Sequence, residues 1–201
     1  MLLYVMSSEK NETRTRILKT TWELLEASAG KEVRMIDIAR AAGISRQAVY
    51  LHFENRTDLL IATTRYIDEV KGIDDRLASS RTAANGIDRL IAFIDAWGNY
   101  IPEIYGVARV LIAARDHDPD AAIAWHDRMQ AVRGGCAAAI DALKKDDALS
   151  AKLSDRTATD ILWTQLSIGN WELLVQQCGW SQEQYVNHLK KQANLLLIAR
   201  S

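Results

Sequence analysis

The sequence predicts an all-α protein: a three-helix N-terminal head with a helix-turn-helix, and a larger C-terminal helical bundle, about nine helices in total. Three observations carry this. Apolar residues recur at steps of three and four through long segments, with no strand-like alternation between turn signals. Breakers are scarce, with 2 prolines and 10 glycines in 201 residues. Between Asp37 and Leu59 a helix stops at a glycine, the chain turns, and a short second helix opens with polar and cationic residues. The predicted boundary places the head in residues 1–55 and the body in residues 56–201.

Taken in order, residues 11–29 read as a first helix, with Ile17, Thr21, Leu24, Leu25 and Ser28 on one face and Trp22 beside it. The apolar start, Met1 to Met6, is too short and too poor in basic residues for a signal peptide, and reads as a disordered arm. The helix-turn-helix follows. Next comes one long helix from Arg56 to Leu77, with Leu59, Thr63, Tyr66, Val70 and Ile73 in register. Residues 87–100 form a helix with Leu90, Ile94 and Trp97 on one face. Ile101-Pro102 then opens another, through Arg115, with proline at its first helical position. That helix is apolar nearly all round, so it should be buried on more than one side. Asp118-Pro119-Asp120 starts a helix on which Trp125, Met129, Val132, Cys136 and Leu143 step by three and four. Ser154 to Gln177 reads as a single helix with two apolar faces. Ser181 and Gln184 form a capping box for the last helix.

The turn has a chemical logic. Ala39, Ala42 and Ile44 are small or apolar where two helices must pack steeply. Gly43 tolerates the left-handed conformation that ends a helix. Ser45 has the chemistry of an N-cap, and the free amides behind it suit a phosphate. Arg46, Gln47 and Ala48 fill the first turn of the next helix. Arginine pairs with guanine edges, glutamine with adenine edges, and an alanine methyl meets a thymine methyl. Val49 and Phe53, four apart, face the core. Tyr50 and His52 point elsewhere and can donate to phosphate. Asn55 caps a further helix, with Asp58 at its third position and Arg56 near the DNA backbone. A helical hairpin with ordinary surface charges is the plainer reading, and the combined motifs weigh against it.

These motifs resemble the tetracycline-repressor (TetR) family of bacterial transcriptional regulators. The resemblance rests on Ile38-Ala39, Ala42-Gly43-Ile44-Ser45, Tyr50-x-His52-Phe53 and Arg56, and covers residues 11–60. Two departures stand out. Val33-Arg34 replaces the usual Thr-Thr pair, so Arg34 would supply a charged phosphate contact, and the Gly30–Ile38 segment looks one residue short. Glu54 replaces a frequent proline, placing a negative charge near the DNA surface. The resemblance implies a palindromic double-stranded DNA operator, a homodimer built on the last two long helices, and a small-molecule effector in the body.

Composition narrows the classes. A hydrophobic content of 48% argues against global disorder. Net charge is −1, unlike a non-specific nucleic-acid binder, but residues 10–56 carry more basic than acidic side chains. Cys136 and Cys178 fit no metal or redox spacing and read as buried thiols. Asp116-His117-Asp118 is better explained as a solvated loop and cap than as a metal site. No nucleophile–base pair or phosphate-binding glycine loop suggests an enzyme. No membrane span is present, so a cytoplasmic protein without catalytic residues, metal or cofactor is expected.

The body is larger than a DNA-binding head requires. Amphipathic aromatics at Tyr66, Trp97, Tyr100, Tyr105, Trp125 and Trp171, with His126 and Asn170 as polar partners, are the ligand-site candidates. Taken singly, each such aromatic is more often core. Excess apolar surface on the last helices proposes a two-fold interface through Trp163, Leu166, Ser167, Gly169, Leu174, Tyr185, Leu189 and Leu196. Two alternatives stand beside the regulator reading: an all-helical small-molecule-binding protein or enzyme with a merely structural turn, and a DNA binder with no effector.

Overall fold

A computed structural model of the chain describes residues 2–28 and 31–199, with side chains from residue 10 onward. Gly30, at the start of the shortened segment, lies outside the described residues. Among them are ten α-helices: α1 (Leu2–Ala27), α2 (Met35–Ala41), α3 (Arg46–Tyr50), α4 (Arg56–Val70), α5 (Ile73–Arg81), α6 (Gly86–Ala114), α7 (Pro119–Lys145), α8 (Asp155–Gln165), α9 (Ile168–Trp171) and α10 (Gln182–Leu197). A π-helical segment, Glu172–Gln177, follows α9 directly. The only extended pairing among the described residues is an isolated antiparallel bridge between Leu149 and Ile198. None of their helices is long and apolar enough to cross a membrane.

The chain divides into two compact units. One comprises Met1–Lys71 and Gly106–Arg128; the other comprises Gly72–Tyr105 and Met129–Ser201. In the first, α1, α2, α3 and α4 close over Ile17, Ile38, Val49, Phe53 and Leu59, all essentially without solvent exposure. The end of α6 and the start of α7 add Leu111 and Ala124 to that core. In the second, Leu90, Ile94, Tyr100, Ile140, Leu162, Tyr185 and Leu197 are equally buried. Helices α6 and α7 touch closely there: a Cβ on Gly86 would stand 2.6 Å from the Ala142 backbone, and one on Gly135 would stand 2.5 Å from the Phe93 ring.

Four helix boundaries differ from the sequence reading, each for a local reason. The backbone is helical from Leu2, where a disordered arm was expected. The predicted Arg56–Leu77 helix is two helices, because Gly72 takes a left-handed conformation (φ 66°) between them. The two helices expected around Pro102 are one, α6, with proline in its interior. Proline has no N–H to give the carbonyl four residues earlier. That carbonyl, on Gly98, instead accepts from Gln182 Nε2 at 2.8 Å. Finally, the predicted Ser154–Gln177 helix breaks at Ser167, whose hydroxyl accepts from the Asn170 amide and starts α9. Trp97 Nε1 then donates to the Leu166 carbonyl at 2.9 Å. The carbonyls of Gly98 and Leu166, freed by the proline and by the break at Ser167, thus each find a side-chain partner.

The Ser181–Gln184 capping box forms as predicted. Cys136 is buried, and burial pushes its thiol up to about 12, whereas Cys178 is exposed, contrary to expectation. Tyr185 presents the opposite case: its hydroxyl is buried and has no hydrogen-bond partner among the described residues. Leaving such a group unmade costs about 1–3 kcal/mol. Tyr185→Phe is therefore expected to preserve or raise the thermal midpoint, and a fall of several degrees would show a missed partner.

Candidate nucleic-acid interface

The turn between α2 and α3 is built by backbone hydrogen bonds that its sequence permits. The Gly43 amide donates to Arg40 O at 3.2 Å, and the Ile44 amide to Ala39 O at 3.0 Å. This is the Schellman arrangement, with Gly43 in the left-handed position (φ 68°). Ser45 then takes an extended conformation, and its hydroxyl accepts from the Ala48 amide at 3.0 Å. Below α3, Asn55 caps α4 by accepting from the Asp58 amide at 2.8 Å.

This scaffold exposes the predicted reading residues. Ser45, Arg46 and Gln47 are exposed, and Ala48 is half-buried. Tyr50 is exposed, and Arg46 Nη2 donates to its hydroxyl at 3.3 Å. Val49 and Phe53 are buried as the spacing predicted. Arg34 sits at the N-cap position of α2 without capping it; its guanidinium bonds Asp37 at 2.9 and 3.2 Å. That hydrogen bond holds the Asp37 carboxyl below its ordinary value. His52 is half-buried, with Nδ1 enclosed and unpartnered. Burial, and then the charges of Lys10 and Arg14, hold its imidazole below the ordinary 6.5.

Arg56 departs from its expected place at the DNA backbone. Its side chain is only 11% exposed and bonds inward. Nε donates to Val33 O at 2.8 Å, Nη1 and Nη2 each meet an Asp118 oxygen at 2.8 Å, and Nη1 reaches Asp120 at 3.1 Å. Thr57 donates its hydroxyl to Asp120 as well. The correction has a simple electrostatic cause, since two carboxylates already neutralise this guanidinium. One feature beside the reading helix was missed by sequence reasoning. Leu51 is 74% exposed, and its signal was an apolar residue outside the Val49–Phe53 spacing. Arg14 of α1 stacks its guanidinium 4.7 Å from the Phe53 ring centre, bringing positive charge beside α3.

The ligand-site candidates are distributed over both units. Tyr66, Trp125 and His126 belong to the first unit; Trp97, Tyr100, Tyr105, Asn170 and Trp171 belong to the second. Tyr66 lines an open groove of about 220 Å³ with Arg14, Asp58, Arg65 and Glu69. In the second unit, Trp97 and Tyr100 are 5.9 Å apart by ring centres, and Tyr105 and Trp171 are 4.8 Å apart. Tyr105 donates to Glu172 at 2.6 Å, and Trp171 Nε1 to Gln182 at 2.8 Å. Asn170 closes the end of α8 by donating to Thr164 O at 2.8 Å. His126 is exposed.

The predicted interface set divides too. Leu166, Tyr185 and Leu189 are in the core of one chain, so they are not free to meet a second copy. Leu196 is 43% exposed, Trp163, Ser167 and Leu174 are half-buried, and a Cβ on exposed Gly169 would meet nothing within 4 Å. Leu173 and Leu195, exposed at 51% and 53%, were not anticipated. Among the described residues, no group of His, Cys, Asp and Glu could hold a metal ion.

A capped helix-turn-helix presenting Arg46, Gln47 and Tyr50 defines a DNA-binding protein, and comparison with known proteins agrees. Residues 17–63 match the family described as bacterial regulatory proteins, tetR family. The transcriptional regulator CymR of Pseudomonas putida is 26% identical over 167 residues, 79% of each chain. The nucleoid occlusion factor SlmA of Marinomonas sp. (strain MWYL1) is 33% identical over 64 residues, and the match spans 32% of each chain. A protein from Saccharomonospora viridis, classed as a transcriptional regulator and solved in complex with choline, superposes with a TM-score of 0.70 at 23% identity. That match covers 94% of this chain and 100% of the other. Residues 17–63 thus match the DNA-binding helix-turn-helix domain of the tetR family, and the chain is similar to that family's transcriptional regulators.

Proposed function

We propose that the chain is a cytoplasmic, ligand-responsive repressor. It binds a palindromic operator as a homodimer and is released by a small molecule held in the C-terminal helical domain. The observation that carries this reading is the exposed row Ser45, Arg46, Gln47 and Tyr50 on a helix fixed at its start by a Schellman turn and a serine cap. Arg46, Gln47 and Ala48 read base edges in the major groove, while Arg34, Ser45, Tyr50 and His52 hold phosphates. The dimer reading is supported by exposed Leu173, Leu195 and Leu196 near the end of the chain. Successive half-sites about 34 Å apart require such a two-fold partner. The effector reading is supported by the aromatic cluster of the second unit and by the structural likeness to a protein that holds choline. A ligand that prefers one spacing of the recognition helices shifts the population toward it.

The test is selection of binding sites from random double-stranded DNA by the wild type and Arg46→Ala in parallel. A palindrome enriched by the wild type alone, with affinity falling steeply with salt, is expected. Gln47→Ala should relax base preference at one position of each half-site, losing about 1–3 kcal/mol of discrimination. Tyr50→Phe should weaken all sequences alike. An unchanged preferred sequence for Gln47→Ala would remove its base-reading role. No enrichment by folded wild type at low salt would remove the operator reading.

A further inference from the structure

We propose that Arg56 acts as a positioning residue for DNA recognition, clamping the two supports of the reading helix and held in turn by Asp118 and Asp120. The inference rests on the DNA-binding reading and deepens it. Helix α3 has 5 residues, too few to hold a helical shape or a direction on its own. Its aim comes from the segments before and after it. Arg56 grips both. It is the first residue of α4, a short loop beyond the end of α3, and its Nε holds the carbonyl of Val33, two residues before the start of α2. A guanidinium has five donors in a fixed plane, and here the outer edge lies bidentate on Asp118. Asp118 is fixed independently, because its Oδ1 accepts from the amides of Asp120 and Ala121 at the start of α7. Asp120 completes the clamp by binding both Arg56 and Thr57. The connection between α6 and α7 thus sets where α2 and α4 begin, and so where α3 points.

Charge alone predicts the opposite sign for half of this cluster. Near polyanionic DNA, removing a carboxylate should tighten binding and removing an arginine should loosen it. Positioning predicts that both removals loosen it. The salt dependence separates the roles further. A lost phosphate contact lowers the slope of log affinity against log salt by about 0.9, whereas a misaimed helix with its contacts intact leaves the slope unchanged.

The experiment measures binding of the full chain to a labelled duplex enriched by the wild type from a random pool, across a salt series. Arg56→Gln, Asp118→Asn, Asp120→Asn and Arg56→Lys are compared below their melting temperatures. Asp120→Asn, on the more exposed acid, serves if Asp118→Asn melts too low. Arg56→Gln and both carboxylate variants are expected to weaken binding by about tenfold, in the range of coupled elements, with the salt slope of the wild type. Arg56→Lys, lacking the planar fork, is expected to rescue only part of the loss. Carboxylate variants that bind as well as or better than the wild type would overturn the proposal. So would a slope lowered by a full contact in Arg56→Gln, which would return this residue to the phosphate backbone. Failure of the wild type itself to bind any duplex would overturn the DNA-binding reading, and this inference with it.

Discussion

Replacing Asp118 with alanine is expected to lower folding stability by about 3–5 kcal/mol, because it strands a buried guanidinium without its main partner. The Arg56 and Asp118 side chains are 11% and 9% exposed, so solvent screens the pair weakly. For a chain of this length such a loss lowers the thermal midpoint by roughly 8–15 °C. Arg56→Ala should cost a similar amount, since it leaves two carboxylates facing an uncharged gap. The double variant should cost clearly less than the two singles summed, as expected for residues that act as a unit. Additive losses would mean that Arg56 and Asp118 do not depend on each other. Differential scanning calorimetry of the four proteins decides the matter.

The same cluster makes a signed prediction about pH. Burial alone would raise the Asp118 carboxyl, but the Arg56 hydrogen bonds, the Ala121 amide and the Arg56 charge outweigh it, so it lies below the ordinary 3.8. A depressed carboxylate contributes stability that is fully present above its unfolded value and is lost as pH falls through the folded one. The stability gap between wild type and Asp118→Asn should hold steady from pH 7 to about 5 and then narrow below about pH 4. A gap that stays constant down to pH 3 would show that Asp118 titrates no differently in the folded and unfolded chain.

How much of this was readable in advance depends on sequence distance. The turn was readable because Gly43, Ser45, Val49 and Phe53 act within a few residues of one another, and every local element of that motif formed. Asp118 was half readable: Asp118-Pro119-Asp120 announces a helix start, and Asp118 does cap α7. Its other role, across 62 residues to Arg56, leaves no trace in spacing. Arg56 was therefore placed by motif at the DNA surface and by geometry in a clamp. The interface set misled in a related way. An apolar stripe says that a face is buried, not whether its own chain or another covers it, and Tyr185 and Leu189 are covered by their own chain. Pro102 and Ser167 misled in opposite directions. Proline is usual at a helix start, yet a side chain from α10 makes it tolerable inside one. Serine is tolerated within helices, yet here its hydroxyl takes the Asn170 amide and opens a new one.

Gln182→Ala is expected to be the most damaging single truncation of a partly exposed residue in the second unit, at about 2–4 kcal/mol, since it unsatisfies two buried groups at once. Gln182 Nε2 donates to Gly98 O at 2.8 Å, and its Oε1 accepts from Trp171 Nε1 at 2.8 Å. The first bond exists because Pro102 lacks the amide that would otherwise serve that carbonyl. Nor is there room to rearrange cheaply, since a Cβ on Gly98 would already stand 3.1 Å from Val186 of α10. The accounting can be checked by repeating the truncation in a Pro102→Ala background, where the restored amide at residue 102 can bond Gly98 O. There Gln182→Ala should cost about 1–2 kcal/mol less, leaving mainly the stranded Trp171 N–H. Gln182→Glu should sit between, keeping the acceptor for Trp171 and losing the donor to Gly98. Equal losses in both backgrounds, measured by urea unfolding, would mean that the Gly98 carbonyl does not depend on Gln182, and that proline is tolerated in α6 for another reason.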